Sequence, residues 1–148
     1  MNKTASPTRL YTVNGMMVGA ALGSLVAPIY MAAHNYAVLG KPELAKRIVR
    51  SGLIVYGAIL AASLLLPQTM AWAPLFIAAQ VAIAGFLGNR LQGPAIDYHQ
   101  HHGGEAHGLG QAVLVALLAG LALMFILLVI ALPLSLTMQG LEGVRPPP

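Results

Sequence analysis

The chain has no cysteine and only four acidic residues among its 148. The first absence excludes disulfides, thiolate-ligated zinc and thiol chemistry. The second leaves few carboxylates for general acid–base work or for cation capture. Aromatic residues make up 6% and charged residues 8% of the chain. Eight Lys and Arg give a net charge of +4, but they are scattered, with no basic face carrying aromatics, so nucleic acid gains no support as a partner. Most informative is where charge is missing. Residues 10–33, 51–88 and 108–141 contain no Asp, Glu, Lys, Arg or His.

What fills those runs is aliphatic, small and apolar all round, whereas a soluble bundle would need polar outer faces. A hydrocarbon core about 30 Å thick is crossed by roughly 20 apolar helical residues. The middle run is about twice that and is broken by Pro67, Gln68, Thr69 and Pro74, so it divides into two spans. The expected fold is therefore an all-α integral membrane four-helix bundle, one domain over 1–148, with antiparallel spans near 12–38, 49–66, 72–89 and 109–136. The N-terminus superficially resembles a signal peptide, but the apolar stretch is too long and lacks a good cleavage site. The tail 137–148 is expected to be disordered.

Four spans put the 39–48 and 90–108 connections on one side and both termini with the 67–71 turn on the other. Lys41, Lys46, Arg47, Arg50 and Arg90 outnumber Lys3, Arg9 and Arg145. Positive charge in short loops favours the cytoplasm. The expectation is thus a multi-pass bacterial inner-membrane protein with both termini periplasmic, Tyr11 and Trp72 at the outer interface and Tyr36 at the inner one.

Small residues recur every four positions. Gly15, Gly19, Gly23 and Ala27 form one stripe on the first span; Gly108, Ala112, Ala116 and Gly120 form another on the last. Gly57 with Ala61 and Ala78 with Ala82 are shorter echoes. Lipid supplies no hydrophobic drive between helices, so stripes that let backbones approach are expected to be helix-packing seams, within one chain or between copies. Pro28 should kink the first span. Polar residues in the spans are few, among them Asn14, Ser24, Ser63, Gln80 and Gln111. Ion-coupled transporters usually keep an intramembrane charge, and no span holds one. His34 could ligate haem, but a partner histidine at similar depth is missing from the spans. The plainer reading is a hydrogen-bonded tether beside Asn35.

The one polar concentration is "DYHQHHGGEAH", residues 97–107. Gly93-Pro94 before it and Gly103-Gly104 after it suggest a short helix near 94–102. Asp97 with His101, and His99 with His102, would then share helix faces. With His107 and Glu105 they could offer a divalent metal nitrogen and oxygen ligands. The spacing matches no established zinc motif; four imidazoles could instead respond to pH, and the leading reading is a polar connector with little chemistry.

"AHNYAVLGKPELAKR" together with "RLQGPAIDYHQHHGGEAHGLGQAV" resembles a group of small, uncharacterised four-span bacterial membrane proteins. The resemblance rests on Asn35, Leu39, Gly40, Lys41, Ala45, Gln92, Gly93, Pro94, Ile96, His99, Gly103 and Gly104 and covers about 70 residues. It implies an inner-membrane protein and brings no activity. It also implies one histidine, at position 99, so His101, His102 and His107 are additions. From it we expect the two connections to touch, with Gln92 or His99 bonding near Asn35.

No nucleophile is placed beside a base, so no catalytic residue and no bound cofactor are expected. The expected function is that of a non-enzymatic structural or accessory subunit in the lipid bilayer. It would self-associate or bind another membrane protein. The alternatives are a metal-handling or transport protein using the histidine loop, and an immunity-type protein that binds a toxin.

Overall fold

The computed structural model describes residues 8–63 and 72–142; side chains at 134 and 138–142 are outside the description. Among the described residues the fold is all-α apart from two dipeptide strands. In order, it forms β1 (Arg9–Leu10), α1 (Val13–Gly23), α2 (Val26–Val38), α3 (Pro42–Ser63), α4 (Trp72–Leu91), α5 (Gly93–His101), β2 (Glu105–Ala106) and α6 (Leu109–Glu142). Two of these helices, α4 and α6, are long and apolar enough to cross a membrane.

The first expected span is not one helix. Residues 13–38 fold back on themselves, and the reversal lies at Ser24, whose φ of 72° belongs to the left-handed region. Gly19 meets Ala27 and Met31 across the fold, and Tyr11 bonds to Asn35 at its open end. The local chemistry explains the turn. Pro28 has no N–H, so it cannot continue a ladder back to the Ser24 carbonyl. In the first turn of a new helix that missing donor costs nothing. Pro28 therefore accompanies a full reversal where a kink was expected. The buried Leu25 N–H is capped from far along the chain, by Gln80 Oε1 of α4 at 3.1 Å. At 1.5 Å per residue the 11- and 13-residue arms reach about 16 and 20 Å. Both are short of a bilayer core.

This hairpin is the centre of the molecule. α6 runs parallel to α1, with Gly15 on Ala112 and Gly23 on Ala116 and Gly120. α4 runs antiparallel to α1, with Gly88 on Val13 and Met16, and Gly85 on Met17. α3 lies along α2, where Gly52 receives Ile29. The principal packing pairs all include α1 or α2, whereas α3, α4 and α6 scarcely meet one another. Two buried clusters result. One joins Tyr11, Met16, Ala27, Met31, Ala112 and Ala116, and the other joins Ala20, Leu25, Tyr56 and Ala84.

The hairpin also corrects the expected arrangement of ends. β1 pairs in parallel with β2, Arg9 opposite Glu105 and Leu10 opposite Ala106. The N-terminal end of the described chain thus sits with the 39–41 and 91–108 connections, not opposite them. Tyr11 and Tyr36 share this loop end, since Tyr36 Oη donates to the Leu91 carbonyl at 3.0 Å. Trp72 begins α4 at the other end. The remaining expected boundaries shift less: α3 starts at Pro42 and is described to Ser63, and Pro74 falls in the first turn of α4. α6 continues to Glu142, so the first part of the tail expected to be disordered is helical. The expected 67–71 turn lies outside the described residues.

Candidate functional site

Polar interactions converge at the loop end. Asn35, on the last turn of α2, is fully buried. Its Oδ1 accepts from the Tyr11 N–H at 2.7 Å, and its Nδ2 donates to the Tyr11 carbonyl and to Gln92 Oε1, both at 2.8 Å. Gln92, between α4 and α5, in turn donates from Nε2 to the Ala32 carbonyl at 2.8 Å. Two amide side chains therefore close the hairpin mouth and fasten it to the α4–α5 corner. An amide is the side chain for this task, since it donates and accepts from one rigid plane.

The strand pair carries a second layer. Arg9 Nε and Glu105 Oε2 are 2.7 Å apart, half-exposed, and the His107 N–H donates to the Leu10 carbonyl at 2.8 Å. His107 stacks on Tyr11 with ring centroids 4.2 Å apart, and His34 meets Tyr11 edge-on at 5.3 Å. His107 Nδ1 donates to Gln111 Oε1 at 2.6 Å, while its Nε2 is buried and without a hydrogen-bond partner. His34 lies one turn from the end of α2, level with this stack and outside α4 and α6. Burial holds its pKa below the ordinary histidine value, the nearby His107 adds to that, and a hydrogen bond to the Arg9 backbone carbonyl partly opposes it. Burial and the neighbouring Tyr30 push the Tyr11 phenol upward.

The expected helix at 94–102 is α5, Gly93–His101, but its histidines do not converge. His99 Nε2 donates to the Thr8 carbonyl at 3.0 Å. Its ring lies against Gly104, where any Cβ would overlap it. His101 and His102 donate through Nδ1 to the Asp97 and Tyr98 carbonyls, both at 2.8 Å. These two satisfy carbonyls at the helix C-terminus. Among the described residues no three His, Asp or Glu side chains form a group that could hold a metal. Asp97, His99, His101, His102, His107 and Glu105 therefore do not make the metal set their spacing allowed. His34 does gain a histidine neighbour, His107, at 5.4 Å between centroids. Tyr11 packs on both rings and leaves no slot for a porphyrin.

The small-residue stripes are occupied within the chain. Gly15, Gly23 and Ala27 face Ala112, Ala116 and Gly120, whereas Gly19 faces Met31 of α2 and Gly108 faces open space. Gly23 comes so close to α6 that a Cβ would run into the Ala116 carbonyl. Gly57, Ala61, Ala78 and Ala82 are exposed, and the close contacts of α3 and α4 are made by Gly52, Gly85 and Gly88 instead. Four-residue spacing marked α1 and α6 but missed these three, because a single glycine suffices where one large side chain, Ile29 or Met17, docks.

No family model matches the chain, and no curated protein or solved structure matches it.

Proposed function

We propose that this is a non-enzymatic inner-membrane protein, a structural or accessory subunit built on a re-entrant hairpin, that self-associates in the bilayer. α4 ends at the loop end and α3 begins there, so a chain that crosses with α4 must also cross between Pro42 and Trp72. With α6 this makes three crossings. The α1–α2 hairpin enters from the loop end and returns without crossing. The N-terminal end then lies on the loop side and the end of α6 on the other. All six described Lys and Arg lie at the loop end or in the first turns of α3: Arg9, Lys41, Lys46, Arg47, Arg50 and Arg90. By the charge rule for short loops this side faces the cytoplasm. Broken helices at membrane depth are tolerated where protein encloses them. Here α3, α4 and α6 do so.

The observation that carries the reading is how the interior amides are used. Asn35, Gln92 and Gln80 each bind the chain's own backbone or one another, which suits a scaffold. The stripe on α1 is consumed by α6 and α2, so association between copies must use another surface. The outer half of α6, from Met124 to Leu136, is apolar and exposed. It is the surface we assign to a second copy or to another membrane protein. Light scattering of the detergent-solubilised chain tests it. A discrete assembly is expected, dissociating when Phe125, Leu128 and Leu132, one stripe of α6, are replaced together by Ala. A monomeric wild type overturns the self-association.

A further inference from the structure

We propose that the groove between α2 and α3 at the loop end binds an anionic phospholipid, its phosphate held by Lys46 and Arg50 and one acyl chain running past Tyr30 towards Leu53. The inference rests on the membrane reading above. The groove has a volume of about 490 Å³, and its walls differ in character. Its lining includes small apolar side chains, Ala33 and Ala37 of α2 and Ala45 and Val49 of α3. Tyr30 and His34 of α2 complete one wall, and Lys46 and Arg50, four apart on α3, belong to the other. Residues four apart share a helix face, so both cations address the same opening.

The charge there is only partly neutralised. Among the described residues the ion pairs are Arg9–Glu105 and Lys46–Glu43. The Lys46 pair is strongly exposed and easily displaced, and no acid pairs with Arg50. The depth is right for a headgroup. Arg50 is the last charged residue before the charge-free run 51–88, so its guanidinium stands where hydrocarbon meets water. Arginine engages phosphate oxygens through a planar fork of donors. Below it, towards Tyr30 and the exposed Leu53 and Ile54, the surface is continuous with what an acyl chain would touch. A cationic lip over an apolar trough fits a lipid that carries a phosphate and no compensating cation. A zwitterionic headgroup would bring its own positive charge against Lys46 and Arg50.

The test is thermal unfolding of the full chain in detergent with added phosphatidylglycerol, phosphatidylcholine or inorganic phosphate, and lipid counting by native mass spectrometry. Phosphatidylglycerol should raise Tm and remain bound, and the other two should not. Each of Lys46→Gln and Arg50→Gln should weaken that binding roughly fivefold. Arg90→Gln, a loop-end cation outside the groove, should leave it unchanged. Ala37→Phe, at an exposed position, keeps both charges but fills the groove beside Lys46, and it should also abolish retention. Equal effects of phosphatidylglycerol on wild type and on the Lys46, Arg50 and Ala37 variants would overturn the site. Stabilisation by inorganic phosphate alone would replace it with a simple anion site. A chain that stays monodisperse without detergent would instead sink the membrane reading itself.

Discussion

The two ends of this molecule are built from opposite materials. At the loop end, Asn35, Gln92, Tyr11, His34, His99 and His107 form a dense set of directional contacts. At the far end, α6 from Met124 onwards presents large apolar side chains with little of its own chain against them. Directional bonds discriminate sharply between one geometry and another, whereas dispersion contacts tolerate exchange of similar volumes. The loop end should therefore be intolerant of single atoms, and the far half of α6 tolerant of whole side chains in a monomer.

The sharpest attack on that contrast is Asn35→Asp. It preserves volume but removes both Nδ2 donors, leaving the Tyr11 carbonyl and Gln92 Oε1 facing a buried carboxylate. Loss of one partner from a buried charged or polar set costs on the order of 3–5 kcal/mol. The hairpin mouth should open, visible as a large fall in Tm and rapid proteolysis near residues 8–12. In contrast, Leu128→Ala on the far half of α6 should barely move the monomer's Tm. If the two variants lost equal stability, the division between the ends would be wrong.

Next in size is the seam. Gly23→Ala forces a methyl into the Ala116 carbonyl, backbone against backbone. Such overpacking costs typically about 1–3 kcal/mol. Gly57→Ala, which meets nothing within 4 Å, should be neutral or stabilise by up to about 1 kcal/mol from helix propensity. Thermal melts of the pair in one detergent separate a packed glycine from an incidental one.

These two glycines also show how far the sequence could be read. The four-residue spacing of Gly15, Gly23, Ala112, Ala116 and Gly120 is a local property of helices, and the spacing alone points to a close seam. The resemblance likewise put Asn35 and Gln92 side by side, and they bond at 2.8 Å. The reversal at Ser24 was hidden for a physical reason. A turn exposed to water advertises itself with polar residues, but this one is enclosed by apolar helices and carries only Ser24 itself. Its uncapped Leu25 N–H is answered by Gln80, 55 residues away, and nothing local distinguishes it from a straight span kinked at Pro28. The histidines misled in the opposite direction. Their spacing permits shared ligation, yet His99, His101 and His102 turn to carbonyls at Thr8 and within α5 and do not converge.

A smaller effect separates the loop end by pH. His34 titrates below its ordinary value in the folded chain, so the unfolded chain binds that proton more readily. By linkage, stability does not depend on this group above the unfolded value, about 6.5, and declines as pH falls below it. Tm should fall on acidification towards pH 5 in wild type, and His34→Gln should flatten part of that slope. An unchanged slope would show that His34 does not carry this pH dependence.

The least effect, and the finest probe, compares histidines within one loop. His99 Nε2 ties α5 to Thr8 across 91 residues and its ring fills the space over Gly104. His101 and His102 bond only to carbonyls four residues back on their own helix. A long-range bond restrains two chain segments, whereas a bond within the last turn replaces one that water can supply. His99→Ala should thus cost about 1 kcal/mol, and His101→Ala with His102→Ala together should cost less. Hydrogen exchange at Leu10 and His107 supplies the readout that a general loss of stability would not single out. His99→Ala should accelerate it there, because β1 loses its anchor beside the β2 ladder. If the double variant did so as strongly, the hold on the N-terminal strand would lie in α5 as a whole and not in His99.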